Sequence, residues 1–282
     1  MNLDPVAKEV KSFYEESPFP NYDDFDSAKS LEEKAKKSIF AKMLNHQIPK
    51  DARVIEIGCG TGQLTNYLSI CGRKVIGTDI TENSLKLARE FSQKNNLPSE
   101  FVQMDLFNPS FPFESFDYVI SNGVLHHTRD TKEAFKSIAR LVKPDGFILI
   151  GLYNKYGRLF TNIRQFIFKI TQGRFKEKLD SHLADPTLSD GKRLAWFRDQ
   201  YQHPHERKHT IGEVLEWFDE EGFEFMSGIP PTSLSDTFGE GTRLFKPHKR
   251  GSFVDHFFVQ LKLFFVGAKE GGFYILIGQK KK

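Results

Sequence analysis

Short β-rich runs alternate with stretches of helical spacing from Arg53 to Leu152, and no other feature of the chain constrains the fold as strongly. Val54-Ile55-Glu56-Ile57 runs into glycines, and a helix starts over Leu64 to Leu68. Lys74 to Asp79 is a second run. Thr81 then caps a helix through Gln93, with Leu85, Leu87, Ala88 and Phe91 apolar. Glu100 to Met104 and Phe116 to Ser121 are the third and fourth runs. Asp130-Thr131-Lys132-Glu133 opens a helix in the capping-box manner, reaching Val142. Pro144-Asp145-Gly146 reads as a turn before a fifth run, Phe147 to Leu152. Strands separated by helices predict a parallel sheet with helices on both faces. Right-handed crossovers then make a doubly wound α/β sheet the expected architecture.

The flanks divide the rest. Residues 1–50 form an N-terminal helical extension, with helical spacing over Lys8 to Tyr14 and Leu31 to His46 and a turn or extended segment at Ser17 to Tyr22. The αβ pattern stops after Leu152 and resumes at a second capping box, Thr210 to Glu213, followed by a run from Phe223 to Met226. It stops again and resumes with Phe273 to Gly278. The core is therefore expected over 51–152, 210–228 and 272–282, with insertions at 153–209 and 229–271 forming a substrate lid. Both insertions leave a strand's C-terminal end, the edge where open α/β sheets bind ligands.

Composition narrows the classes. In 282 residues, 40 basic side chains meet 37 acidic ones, so no global field calls for nucleic acid. Two cysteines exclude a disulfide framework. MNLDPVAKEV lacks the basic and apolar parts of a secretory signal. The nearest approach to a membrane span, Phe257 to Ala268, is broken by Gln260 and Lys262. A soluble cytoplasmic protein is the expectation. The 28 phenylalanines, about a tenth of the chain, suggest flat apolar surface beyond what a core needs.

Polar or glycine residues sit at four successive strand ends. Gly58-Cys59-Gly60-Thr61-Gly62 follows the first strand, where glycines let backbone N–H groups approach a ligand. Its spacing is not that of the dinucleotide fingerprint. Asp79 ends the second strand, placed to accept hydrogen bonds from both hydroxyls of a ribose. Asp105 ends the third, placed to accept from an adenine amino group. Ser121-Asn122-Gly123-Val124-Leu125-His126-His127 follows the fourth.

In this order VIEIGCGTG, VIGTDIT, VQMDLF, FDYVISNGVLHHT and LVKPDGFILIG resemble the class I S-adenosylmethionine-dependent methyltransferases. The resemblance covers about 54–152 and, more faintly, 210–228 and 272–279. It implies a Rossmann-like, mostly parallel seven-strand sheet whose last strand runs antiparallel. It also implies S-adenosyl-L-methionine as cofactor and S-adenosyl-L-homocysteine as product. Glu56 would then orient the loop and hold the cofactor's amino-acid end. Gly58, Cys59, Gly60 and Gly62 would line the methionine and ribose, and Asp79 would hold the ribose hydroxyls. Met104 and Asp105 would take the adenine, with Ile80 and Leu106 beside them. Asn122 would support the methionine through its backbone. The stretch Phe13 to Tyr22 looks like a segment preceding the catalytic domain in some relatives. It is expected to fold over the cofactor mouth with Tyr14 or Tyr22 facing the site, or to pack elsewhere.

Methyl transfer from a sulfonium needs alignment and a dry site more than it needs a metal, and none is expected. A base is required when the acceptor atom carries a proton. His126 and His127 are the candidates, as general base or as structural support beneath the cofactor. His205-Glu206-Arg207-Lys208-His209 has the H-E-x-x-H pattern of zinc proteases, but it falls in the approach to a helix, not on one. A solvated loop and a substrate contact are the competing readings; His205 and Glu206 are the substrate-site candidates. In 156–172, Leu159, Phe160, Ile163, Phe166, Ile167 and Ile170 share a helical face. Lys155, Arg158, Arg164, Lys169, Arg174, Lys176 and Lys178 surround it, opposed only by Glu177. A lid over the substrate, a homodimer contact and peripheral membrane contact through 156–178 all fit that pattern. Phe253 to Phe265, helix or strand, is expected to pack against it. The function expected is methyl transfer to a small or medium-sized, partly apolar acceptor. RNA methylation and cofactor binding without turnover are the rivals.

Overall fold

The computed structural model describes residues 3–20, 22, 26–266 and 272–282. Three helices lead: α1 (Pro5–Glu16), α2 (Ala28–Lys36) and α3 (Ile39–Gln47). The αβ part follows with β1 (Val54–Ile57), α4 (Gln63–Ser69), β2 (Val75–Asp79), α5 (Glu82–Lys94), β3 (Glu100–Gln103), β4 (Phe116–Asn122), α6 (Thr131–Ala139) and β5 (Val142–Tyr153). The first insertion holds α7 (Leu159–Thr171), α8 (Lys176–Leu179) and α9 (Asp190–Tyr201). Then come α10 (Ile211–Glu220), β6 (Phe223–Ile229), α11 (Phe253–Val266) and β7 (Phe273–Lys280).

The seven strands form one sheet in the order β3-β2-β1-β4-β5-β7-β6. β7 pairs antiparallel with both β5 and β6, and the other pairs are parallel. Order reverses beside β1, so the ends of β1, β2 and β4 open onto one crevice, the switch point of such sheets. Side-chain alternation builds a core on each face. Ile55, Val119, Ile148, Ile150, Tyr274 and Leu276 pack beneath α6 and α10. Val54, Tyr118, Ile120, Leu149, Ile275 and Ile277 pack against residues of α2 to α5.

Several elements differ from the sequence expectation. The helix expected over Leu31 to His46 is two, because the Ser38 hydroxyl accepts from Ala41 N and starts α3 afresh. The helix after Asp130 ends at Ala139, and Val142 already belongs to β5. Asp145, in the expected turn, has a φ of 62° inside that strand. Phe253 onward is helical, and Phe160 and Phe264 meet at 4.7 Å between ring centroids, so α11 does pack against α7.

The N-terminal extension shares the sheet's core. Leu31, Met43, Leu44 and Ile48 pack with Tyr67, Leu68 and Val75. The buried Arg73 guanidinium locks this junction. It donates to the carbonyls of Asn45, Ile48, Pro49 and Leu68, which end α3 and α4. Helix C-termini leave carbonyls without partners, and one guanidinium satisfies four. Arg73→Met should therefore destabilise the protein by about 3–5 kcal/mol, read from urea unfolding, because buried carbonyls lose their donors.

Candidate functional site

At the crevice a cavity of about 490 Å³ opens, within the range of small-molecule sites. Its floor is the glycine loop between β1 and α4. Gly58 N and Cys59 N donate to the Thr78 carbonyl at 2.7 and 2.8 Å, which turns the chain sharply. Gly60 has a φ of +52°, and a Cβ there would lie 2.3 Å from the Phe19 carbonyl oxygen. Gly62 has a φ of +75°, and its Cβ would strike the Phe101 ring at 2.6 Å. Only glycine allows both the loop and the approach of the N-terminal segment.

Two carboxylates stand over this loop. Asp79 Oδ2 accepts from Gly60 N at 2.8 Å, and Oδ1 accepts from Thr81 N and Oγ1 at 2.9 and 2.7 Å. Burial raises the Asp79 pKa against those hydrogen bonds. Glu56 is buried, with the Thr65 hydroxyl donating to it. Burial pushes its carboxyl up to about 7, the Thr65 bonds opposing. A buried carboxylate without a cation is set to receive one. Further along, Met104, Asp105 and Leu106 line the wall. Asp105 accepts from Phe107 N and Asn108 Nδ2, which fixes its carboxylate at the cavity edge. Cys59 lines the floor as a buried thiol whose pKa burial raises.

The roof comes from the N-terminal segment and α9. Ala7, Val10, Tyr14, Phe19 and Pro20 line the cavity from one side. Glu15 holds this strap down by accepting from Glu82 N and Asn83 N at the start of α5, at 3.0 and 2.9 Å. Thr61 Oγ1 donates to the Pro20 carbonyl. Trp196, Asp199 and Gln200 of α9 close the other side. The Tyr14 hydroxyl donates to Asp199 Oδ1 at 2.7 Å, and burial with that neighbouring carboxylate raises its pKa well above the usual value. Gln200 Nε2 donates to Asp199 Oδ2 and to the Tyr153 hydroxyl oxygen at 2.9 and 2.8 Å.

The residues expected from sequence divide clearly. Glu56, Gly58, Cys59, Gly60, Asp79, Ile80, Met104, Asp105, Leu106 and Asn122 all line this one cavity, as do Tyr14 and His127. Gly62 lies behind the loop against Phe101. Tyr22 turns away, stacked on Phe91 at 4.3 Å and accepting from Asn66 Nδ2. His126 is fully buried beneath His127 and Tyr153, off the cavity wall. Glu206 is also off the wall, its carboxylate bridging Arg158 Nε and Nη2 at 3.0 and 2.6 Å. The arginine's attraction lowers its pKa against burial. His205 contributes its carbonyl, which accepts from His127 Nδ1 at 2.8 Å. The H-E-x-x-H segment is not helical. It runs beside the end of β5, with His209 N donating to Tyr153 O at 3.0 Å, so its histidines lack the one-turn spacing. Among the described residues, nothing from 156–178 reaches the cavity; the part of the insertion that does is α9. Trp196, Asp199 and Gln200 went unrecognised because α9 carries no clear apolar stripe in its sequence.

The His127 donation to a carbonyl fixes its tautomer with Nδ1 protonated and leaves Nε2 as an acceptor. Burial lowers its pKa, against the pull of Asp199. The ring stands on the cavity wall.

Glu56 also has a stability consequence. Its folded pKa lies above its unfolded one, so its contribution is fullest below the unfolded value of 4.5 and is lost as pH rises through about 7. Glu56→Gln, which mimics the protonated form, should stabilise the ligand-free protein at pH 8 by about 3 kcal/mol. The gain should fade towards pH 4.5, as melting scans across pH would show.

Residues 55–150 match the family described as a methyltransferase domain. An uncharacterized protein of Synechococcus is 25% identical over 198 residues, covering 62% of this chain and 48% of that protein. A ubiquinone biosynthesis O-methyltransferase of Bradyrhizobium diazoefficiens is 31% identical over 108 residues, 38% of this chain and 42% of the relative. The chain thus spans about half the length of these relatives. The magnesium protoporphyrin IX methyltransferase of Synechocystis, solved with bound S-adenosylmethionine, superposes with a TM-score of 0.54 at 14% identity, covering 100% of both chains. That likeness concerns the fold. Residues 55–150, with their glycine loop at the head of the sheet, thus carry a methyltransferase domain.

Proposed function

We propose that the protein transfers a methyl group from S-adenosyl-L-methionine to a small or medium-sized, partly apolar acceptor. One observation carries this reading. A single cavity joins the loop and carboxylates at one end to a second set of polar groups, Tyr14, His127, Tyr153, Asp199 and Gln200, under the roof. The fit to the cofactor rests on local chemistry. Glu56, buried with no cation paired to it among the described residues, suits an ammonium group, and ionisation follows once that charge arrives. Asp79, held by Gly60 and Thr81, keeps lone pairs for a ribose diol. Met104, Ile80 and Leu106 offer apolar surface beside Asp105 for an adenine.

When bound, the cofactor supplies an electrophilic methyl on a cationic sulfur. The chain's part is placement, exclusion of water and handling of one proton. Tyr14, Trp196 and Phe19 line the roof, and the water they keep from the site favours a step that removes charge. His127 Nε2 is the acceptor for a proton from the substrate's O–H or N–H, and the His205 carbonyl holds the ring in the tautomer this requires. Tyr14 and Asp199 hold each other, so the roof is in place before the acceptor atom is aligned.

Label transfer tests the activity. Protein incubated with methyl-labelled cofactor and a fractionated cell extract should label one small-molecule fraction; binding without any label transfer would leave a cofactor-binding protein. Asp79→Ala should weaken S-adenosylhomocysteine binding about a hundredfold in calorimetry, because two hydrogen bonds to a buried charge are lost. His127→Asn should leave that affinity unchanged and lower turnover of the labelled fraction about a hundredfold or more.

A further inference from the structure

The first insertion presents a second surface that the cavity does not use. Among the described residues, the exposed large apolar side chains other than Ile39 and Phe113 all lie in the two insertions. On α7, Leu159, Ile163, Phe166 and Ile170 share one face, and Phe166 and Ile170 are 63% and 64% exposed. The inward face carries Thr161 and Phe168, the latter buried with Leu183 and Tyr201. On α11, Phe253, Val254, Phe257, Phe258 and Leu261 form an exposed stripe, while Val259, Gln260 and Leu263 face inward. The Phe160–Phe264 contact joins the two helices, with Phe160 next to Leu159 on α7. A contiguous exposed apolar patch marks an interaction surface, and this one has no protein against it among the described residues.

Charge selects what covers it. Lys155, Lys169, Arg174, Lys178 and Lys262 are exposed around the two stripes, and none pairs with a carboxylate among the described residues. Between Lys155 and Leu179 the one carboxylate is Glu177. A second copy of the chain, brought up by a two-fold axis, would set this cationic surround against itself. A surface dense in negative charge would satisfy it.

We propose that the α7–α11 face is a peripheral docking surface for an anionic lipid bilayer. The phenylalanines, leucines and isoleucines enter the boundary between headgroups and acyl chains, and the lysines and Arg174 meet anionic headgroups. No described helix is long and apolar enough to cross a membrane, so the contact is interfacial. α7 packs on α9, so the docked face lies one helix away from the cavity roof.

Co-sedimentation with vesicles tests this directly. The protein should pellet with phosphatidylcholine vesicles containing phosphatidylglycerol, weakly with pure phosphatidylcholine, and less as salt rises. Lys169→Ala and Lys178→Ala should each weaken partitioning about fivefold. Phe166→Ser/Ile170→Ser should weaken it by about tenfold per side chain. Both positions are exposed and off the cavity, so binding of S-adenosylhomocysteine should be unchanged and report an intact fold. No pelleting with anionic vesicles, or equal pelleting with neutral ones, overturns the proposal. So does light scattering that shows a dimer, abolished by the double substitution, in protein that ignores vesicles; the face would then be a self-association surface.

Discussion

The Asp79 carboxylate ties the glycine loop to the neighbouring strand, and the cavity depends on that tie. One oxygen takes the Gly60 N–H, and the other takes both donors of Thr81. The loop's first two N–H groups are already committed to the Thr78 carbonyl. The backbone between β1 and α4 is thereby fixed from β2, without any ligand. Burial would drive this carboxyl towards its neutral form if the three donors were removed, so the geometry of the loop and the charge of the site are set by the same contacts.

A second buried network fixes the roof to the sheet. Tyr14 from the N-terminal strap bonds Asp199, which bonds Gln200, which bonds Tyr153 at the end of β5. Arg158 extends the chain of contacts, lying over the Tyr153 ring at 3.7 Å and bonding Gln200 and Glu206. The segment after α9 is anchored by His209 on β5 and by His205 on His127. Polar groups taken out of water require partners, and here they come from the strap, α9 and the end of β5. The strap, the insertion and the strand end are therefore positioned as one unit.

The first insertion serves two surfaces with different helices. α9 faces the cavity with Trp196, Asp199 and Gln200, whereas α7 stands outside it with an apolar stripe towards solvent. The apolar spacing over 156–172 was legible in the sequence, and so was its cationic surround. What periodicity does not carry is the direction of the stripe. The stripe faces outward because α7 turns Thr161 and Phe168 inward, where Phe168 meets Tyr201 and Leu183.

The sequence by itself determined the αβ order, the antiparallel last strand through the resemblance, and the strand-end residues that meet in the crevice. Those features are local: a β-rich run, a glycine that tolerates positive φ, and a carboxylate at a strand end each follow from nearest neighbours and the parallel-sheet rule. Only the tertiary structure decided that His127 lines the wall while His126 lies beneath it, that Tyr14 enters and Tyr22 does not, and that Glu206 is spent on Arg158. Adjacent residues in a short turn point in different directions, and a carboxylate's partner can lie 48 positions away. Such choices are made by which buried group most needs a charge or a hydrogen bond, a competition settled only once the chain is packed.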